Sequence, residues 1–441
     1  MRRTVYFHID EIARDAVVAA NLRRILNAHD VEVTFGNRAN SQLLGLLDNF
    51  AAFDLYFFPS IDLFLANCPD VNRLSAPVII LPSETVGGTA RNLDRVAAKY
   101  FGAFPDECQP WIKKVAAFCV WGPSHLRAFE EKGPELLPKA HVVGHPRFDR
   151  RCRPGQPAPG PGKRIRVGLI SRFSALNPYD RRGMLQIIYD GRRKMDGRVH
   201  PLYRLSPHLN MEDRIFTESM DLRHLFELID ALDPNQYELI VRAHPREDRT
   251  RWEGLIRNNK LRVNIAHWDQ PFIHWVSGVD YVVGPVSTSF YDCVVAGKRP
   301  ICTIDIAPHR QNHVLAGGDD ENPILNYVLR PGSMDELMQM LAANPKDYRS
   351  EIPSGLLDIL HKEANYPDCA TSLDRIARVC LDVLDASGAK HRSSRAARLK
   401  HEAFALGQAI YSLARNHGKP EQSVSFVLSP KRRRWIDNLV D

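Results

Sequence analysis

The sequence predicts an α/β protein made of two doubly wound domains that face each other across a cleft, with helices at its C-terminal end. Two observations lead to this prediction. Short apolar runs alternate with amphipathic segments over residues 4–305, which is typical of parallel sheets covered by helices on both faces. A stretch rich in proline and glycine interrupts the alternation at residues 151–164 and has the composition of an interdomain linker.

The first predicted domain covers residues 1–150. Strands are expected where an apolar run is short and rich in β-branched or aromatic residues. Helices are expected where apolar residues recur every three or four positions. The predicted strands are residues 4–9, 31–36, 54–60, 76–83, 115–122 and 140–144, and the predicted helices are residues 11–29, 41–53 and 124–133.

The second predicted domain covers residues 165–332 and repeats the alternation. Residues 333–441 are expected to form a helical segment that packs on the domains and ends in a basic tail. The predicted strands are residues 165–171, 237–244, 262–267, 279–284 and 299–305, and the predicted helices are residues 220–232, 252–259, 271–278, 288–297, 333–344, 372–387 and 394–416.

The composition is that of an ordinary globular protein, with 44% hydrophobic and 25% charged residues. Eight scattered cysteines without CxxC spacing predict a reduced, cytosolic protein that has no structural zinc. A net charge of +7 suits an anionic partner, but no basic patch with interleaved aromatic residues predicts nucleic-acid binding. No apolar run approaches the ~18 residues of a membrane span, and His8 and Asp10 interrupt the first run, so no signal peptide is expected.

Three hydroxyl groups in a row mark a candidate site. Ser287, Thr288 and Ser289 follow the predicted strand 279–284 and open a predicted helix. Ligands of open α/β sheets bind at the carboxyl ends of strands, and phosphates favour helix N-termini. Because one hydroxyl is enough to cap a helix, three predict binding of an anion, with a simple cap as the alternative.

A histidine forms the second part of this candidate site. His244 and Pro245 follow a predicted strand, and the proline disfavours helical backbone at the histidine, so the imidazole is expected to project from the end of the strand. Arg242 and Arg172 lie at strand ends of the same predicted sheet and would add positive charge. The alternatives are a structural role for His244 and an exposed loop position for Arg172.

These segments resemble a known group of enzymes. "RAHPRED" at residues 242–248 and "VDYVVGPVSTSFYDCVVAGKRPI" at residues 279–301 resemble the C-terminal half of GT-B glycosyltransferases that use cytidine nucleotides. Bacterial sialyltransferases, β-Kdo transferases and CDP-glycerol glycerophosphotransferases share this His-Pro motif and a Ser-Ser/Thr motif. "AHVVGHPRFDRR" at residues 140–151 and "YFHIDEIARDAVVAANLRRIL" at residues 6–26 are similar to segments of proteins of surface-carbohydrate biosynthesis.

The resemblance implies a GT-B fold of two Rossmann-like domains, the first for the acceptor and the second for the nucleotide-sugar donor. It implies that His244 donates to a donor phosphate oxygen and that residues 287–289 hold other phosphate oxygens. Asp319 and Asp320 fall in a predicted surface turn rather than a metal-binding loop. Chemistry without a metal ion or cofactor is therefore expected.

The substrate suggested by the resemblance is a CMP-sugar, such as a CMP-Kdo type donor, with a growing surface polysaccharide of the capsule or lipopolysaccharide type as acceptor. "GPVST" lacks the acidic residue that precedes the serines in the glycerophosphotransferases, which disfavours their substrate. A CDP-polyol phosphotransferase, an epimerase-like enzyme and a non-catalytic binding protein of the same fold remain alternatives.

An acceptor hydroxyl needs a base if the reaction is a direct displacement. Glu84 is the preferred candidate, because Gly87 and Gly88 beside it allow the backbone to approach a ligand and related transferases place an acidic residue there. Asp10 and Glu11 are the other candidates, although acidic residues are favoured in any first helical turn. Retaining and inverting stereochemistry both stay open.

The basic run Lys431–Arg434 precedes Trp435 near the end of the sequence. Such a run is usually a solvated tail, but it suits an anionic membrane surface, where each Lys or Arg contributes ~1 kcal/mol. The sequence therefore predicts a cytoplasmic protein, with peripheral contact at the inner face of the cytoplasmic membrane as an open possibility.

Overall fold

The computed structural model of the protein describes residues 2–10, 12–36, 53–68, 70–74, 76–82, 93–102, 105–153, 164–179, 181–195, 211–267, 270–306, 323–348 and 352–388, together with residues 396, 399 and 403. The chain divides into two compact units. The first unit comprises Met1–Glu84, Asn92–Cys152 and Ile359–Asp441, and the second unit comprises Thr85–Arg91 and Arg153–Asp358.

The first unit is built on a sheet whose six described strands are all parallel, in the order β2-β1-β3-β4-β5-β6. Both faces of its central strands are buried, which explains their continuous apolar sequences. The strands are β1 Arg3–His8, β2 Val31–Gly36, β3 Leu55–Phe58, β4 Val78–Ile80, β5 Val115–Val120 and β6 Ala140–Val142.

The second unit is built on another parallel sheet, whose five described strands follow the order β11-β10-β7-β8-β9. Strand β7 lies at its centre. Gly168 in this strand allows close packing, because a Cβ atom there would lie 2.7 Å from the ring of Trp275. The strands are β7 Ile165–Ile170, β8 Tyr237–Arg242, β9 Val263–Ile265, β10 Tyr281–Gly284 and β11 Ile301–Cys302.

Helices connect the strands in both units. Among the described residues they are α1 Ile12–Asn27, α2 Ile61–Asn67, α3 Leu93–Phe101, α4 Pro105–Ile112, α5 Pro123–Lys132, α6 Met184–Met195, α7 Met211–Ala231, α8 Arg249–Asn258, α9 Phe272–Ser277, α10 Ser289–Val295, α11 Met334–Ala342, α12 Ser354–Ala364 and α13 Ser372–Ala386. None of these helices is long and apolar enough to cross a bilayer.

Helix α13 returns from the C-terminal part of the chain to the core of the first unit. Its buried residues Leu373, Ile376 and Cys380 share one hydrophobic cluster with residues of α1 and with β1. The N–H of Leu373 donates to Asp149 at 2.9 Å, and Arg151 forms an ion pair with Asp374 at 2.8 Å. The first unit therefore needs a segment that follows the whole second sheet in the sequence.

The predicted α/β class with two parallel sheets is confirmed. Helix α7 is longer than the predicted helix 220–232, because its charged first half still presents buried Ile215 and Glu218 to the interior. The predicted helix 41–53 lies outside the described residues, as does most of the predicted helix 394–416. All eight cysteines are unpaired and buried.

Candidate functional site

The carboxyl ends of the neighbouring strands β10, β7 and β8 meet at one edge of the second sheet. The loop after β7 carries Ser171 and Arg172, and the loop after β8 carries His244. The loop after β10 carries residues 287–289. Because parallel strands end at the same edge of a sheet, the structure brings the candidates from three distant chain segments to one place.

Hydrogen bonds to its backbone and to its ring hold His244 in the loop after β8. Its backbone N–H donates to Ser171 Oγ at 3.0 Å, and its Nδ1 accepts from the backbone N–H of Arg246 at 3.1 Å. Since Nδ1 accepts, a neutral imidazole carries its proton on Nε2. His244 is half-buried and Pro245 is exposed. The ring N–H of this tautomer is therefore at Nε2.

The three consecutive hydroxyls have different roles. Ser287 Oγ accepts from the backbone N–H of Ser289 at 3.2 Å, and the carbonyl oxygens of Ser287 and Thr288 accept from the N–H groups of Phe290 and Tyr291. The backbone N–H groups of Ser289, Phe290 and Tyr291 are therefore already bonded within the turn. Within the described part of the chain the hydroxyls of Thr288 and Ser289 have no such partner, so they are the groups left to bind a ligand.

Arg172 joins two of the three loops. Its Nη1 donates to the carbonyl oxygen of Val286 at 2.8 Å, and its side chain is half-buried rather than an exposed loop cation. Val286 directly precedes the hydroxyl turn, while Ser171, the neighbour of Arg172, accepts from His244. Adjacent residues of one loop thus link the histidine to the hydroxyl turn and add a positive charge beside that turn.

Arg242 lies at the end of β8 and is only 8% exposed. Its guanidinium donates to the carbonyl oxygens of His267 and Gln270, which follow β9. Two of its donors therefore stabilise a neighbouring loop. A phosphate contact by Arg242 stays a prediction.

Glu247 is a central residue of this edge that sequence reasoning missed. It is 5% exposed, and its carboxyl oxygens accept from the backbone N–H of Phe173 and from Trp252 Nε1, both at 2.7 Å. Ser171 Oγ lies 2.9 Å from each of these oxygens. Burial raises the pKa of Glu247 to about 7. In the sequence, Glu247 and Asp248 are adjacent acidic residues of one loop, and nothing local shows which of them holds the loops together.

The candidate bases belong to other parts of the chain. Asp10 is exposed and forms an ion pair with Arg14 at 3.1 Å, at the carboxyl edge of the first sheet. A small pocket at that edge is lined by His8 and Asp15 among other residues. Glu11 and Glu84 lie outside the described residues, as do Asp319, Asp320 and Lys431–Arg434. Their proposed roles therefore stay predictions.

Comparisons with known proteins identify the fold. No protein-family model and no curated protein matches the chain. A variant of the wall teichoic acid polymerase TagF matches with a TM-score of 0.50 and 9% identity, covering 87% of this chain and 90% of that one. The chain has the GT-B fold.

Two further structures of the GT-B fold match less well. S. aureus MnaA with UDP has a TM-score of 0.47 and 10% identity, over 87% of this chain and 97% of its own. The Methanocaldococcus jannaschii UDP-GlcNAc 2-epimerase, in complex with UDP-GlcNAc and UDP, has a TM-score of 0.45 and 11% identity. The match covers 87% of this chain and 100% of that one. The likeness to GT-B proteins expected from the sequence is confirmed at the level of the fold by the TagF match.

Gly284, the last residue of β10, offers a test of how this edge is packed. A Cβ atom there would lie 2.9 Å from Ile170 Cβ and 3.0 Å from its carbonyl oxygen. We expect Gly284→Ala to push β10 away from β7 and to lower the stability by about 1–3 kcal/mol.

The matched control is Gly254→Ala in helix α8, where a Cβ atom would have no neighbour within 4 Å. Alanine is favoured over glycine by about 0.8–1 kcal/mol in a helix. The control should therefore unfold at the same urea concentration as the wild type or at a higher one. Equal stability of the two variants would contradict the close approach of β7 and β10.

Proposed function

We propose that this protein is a glycosyltransferase that transfers a sugar from a cytidine-nucleotide donor, of the CMP-Kdo type, to a growing surface polysaccharide. The observation that carries this proposal is the linked set of donors at the carboxyl edge of the second sheet. Ser171 binds the backbone of His244. The adjacent Arg172 binds the turn that carries the hydroxyls of Thr288 and Ser289.

This set of donors suits a leaving phosphate. Breaking a sugar–phosphate bond leaves negative charge on the phosphate oxygens. His244 would donate from Nε2 to one of them, and Thr288 and Ser289 would donate from their hydroxyls. Arg172 would supply positive charge nearby. Donors that are already positioned stabilise developing charge without reorganising during the reaction, which is often the largest catalytic effect.

The cytidine base and the surface polysaccharide are proposed from the resemblance of the His-Pro and Ser-Thr-Ser segments. The acceptor would bind in the N-terminal domain, with Glu84 as the preferred base and Asp10 or Glu11 as alternatives. No cofactor or metal ion is needed in this proposal, since the positive charge of Arg172 takes the place of a metal ion at the phosphate. Contact of Lys431–Arg434 with an anionic membrane would bring the enzyme to a lipid-linked acceptor.

Nucleotide binding is the direct test. We expect CMP and CDP to raise the melting temperature of the protein more than UDP, GDP or ADP at equal concentration. At 100 times its dissociation constant, a ligand that binds only the folded state adds about 2.7 kcal/mol of stability. Equal shifts for all nucleotides would contradict the cytidine specificity, and a preference for UDP would favour an epimerase-like enzyme.

Product analysis then separates the remaining alternatives. A glycosyltransferase releases CMP and extends the glycan by a sugar. A CDP-polyol phosphotransferase also releases CMP, but it adds a phosphate-containing unit to the acceptor. Cytidine-nucleotide binding without turnover, tested with several acceptors, would favour a non-catalytic binding protein of the same fold.

A further inference from the structure

Two loops of the protein share the pattern His-Pro-Arg-X-Asp-Arg and fold alike. One covers residues 145–150 in the first unit, and the other covers residues 244–249 in the second unit. In both, Nδ1 of the histidine accepts from the backbone N–H two positions later, at 3.2 Å in the first loop and 3.1 Å in the second. In both, the aspartate accepts from the N–H two positions later at 2.9 Å. This backbone conformation therefore forms with either residue at X.

Residue X differs between the loops, and so does the environment of the histidine. In the first loop X is Phe148, which is 1% exposed and stacks on the ring of His145 with the centroids 4.5 Å apart. His145 is fully buried and also packs on Trp121 at 4.2 Å. An apolar residue at X is thus enough to anchor the loop. In the second loop X is Glu247, and its histidine, His244, stays half-buried.

A buried carboxyl group is unfavourable unless hydrogen bonds compensate for the lost water. Glu247 receives such bonds from Phe173 and Trp252, which anchor it on the side of α8 and of the loop after β7. Its contact with Ser171 Oγ at 2.9 Å reaches the candidate site instead. The hydroxyl oxygen of Ser171 also accepts from the backbone N–H of His244, at 3.0 Å. A chain of hydrogen bonds therefore runs from the carboxyl group to the backbone of the histidine.

We propose that Glu247 and Ser171 are positioning residues that orient the His244 imidazole toward the donor phosphate. Glu247 holds Ser171, and Ser171 holds the backbone of His244. The fixed backbone keeps Nδ1 in reach of the Arg246 N–H, so that Nε2 carries the proton. The identity of the ligand rests on the proposed function, whereas the coupling to the imidazole is a property of the ligand-free protein.

Imidazole NMR spectra of the full-length protein test the coupling without any ligand. Nitrogen-15 spectra identify the tautomer of His244, whose signals are assigned by their loss in His244→Ala. We expect one dominant tautomer, with the proton on Nε2, in the wild type and a mixture in both Ser171→Ala and Glu247→Met, since methionine has about the volume of glutamate and cannot accept the Ser171 hydrogen bond. Ser219→Ala is the matched control, because among the described residues this hydroxyl donates to the Ile215 carbonyl within helix α7. It should leave the His244 signals unchanged.

Binding of inorganic pyrophosphate then tests the connection to the phosphate site. We expect Ser171→Ala and Glu247→Met to weaken it about tenfold, the effect expected from a hydrogen bond worth ~1.4 kcal/mol, and Ser219→Ala to leave it unchanged. Wild-type imidazole spectra in both variants, or changed spectra with wild-type pyrophosphate affinity, would overturn the proposal. A wild-type protein that binds neither pyrophosphate nor nucleotides would instead refute the proposed function, while the imidazole spectra still decide the coupling.

Discussion

Replacing His244 by alanine is expected to slow sugar transfer by about 10²–10³-fold, the usual effect of removing one hydrogen-bond donor from a developing negative charge. The donor lost is the N–H of Nε2, which the acceptor role of Nδ1 toward Arg246 assigns. Since this donor acts mainly on the charge that develops on the leaving phosphate, turnover should fall much more than the affinity for CMP, which we expect to weaken about tenfold. Single-turnover rates and calorimetric binding of CMP to both proteins measure the two effects separately.

His141→Ala is the matched control for this experiment. His141 is an exposed residue of β6 in the first unit, so its removal should change neither turnover nor CMP affinity. Circular dichroism should show that both variants are folded. A His244→Ala enzyme with wild-type turnover would contradict the phosphate site, and the hydroxyls of residues 287–289 would then only form a helix cap.

The second large effect is expected in the pH dependence of stability. Burial and, to a smaller extent, the charge of Glu218 raise the pKa of Glu247 from 4.5 to about 7, although its hydrogen bonds oppose the shift. The folded state therefore binds this proton more tightly than the unfolded state does. The resulting stabilisation is complete below pH 4.5 and is lost as the pH rises to about 7. Between pH 5 and pH 8 the loss amounts to about 2–3 kcal/mol.

Comparison with Glu247→Gln isolates this carboxyl group from the other titrating groups. Glutamine cannot ionise, so the free energy of unfolding of the wild type should fall relative to that of the variant as the pH rises. Urea unfolding of both proteins at pH 5, 6.5 and 8, with hydrogen exchange of the Phe173 amide as a local probe, measures the difference. A wild-type stability that stays constant relative to that of Glu247→Gln, or that rises relative to it with pH, would show that the folded protein does not raise the pKa of Glu247.

Much of the site could be predicted from local sequence. His244 follows an apolar run and precedes a proline, and residues 287–289 follow another apolar run, so both were expected at strand ends of one sheet. The order β10-β7-β8 places these ends side by side. Arg172 was expected near them as well, but its contact with Val286 was not, because that contact joins residues 114 positions apart.

The two His-Pro-Arg-X-Asp-Arg loops show where local sequence is not sufficient. His145 and His244 have almost the same neighbours in the chain and the same hydrogen bond to Nδ1. Burial among Trp121 and Phe148 lowers the pKa of His145 well below its usual value, so it stays neutral inside the core. Residue X and the packing of other segments around each loop together distinguish the buried histidine from the one at the candidate phosphate site.

The sequence by itself determined the α/β class, the parallel sheets and the strand-end loops that carry His244 and residues 287–289, because apolar periodicity and turn residues act over a few positions. The tertiary structure decided that α13 completes the core of the first unit and that Glu247, rather than Asp248, is the carboxyl group bonded to Ser171. These features depend on contacts between residues far apart in the chain, such as Ser171 and Glu247, which are 76 positions apart. Burial and hydrogen-bond partners are set by such contacts, and so is the chemistry of each side chain.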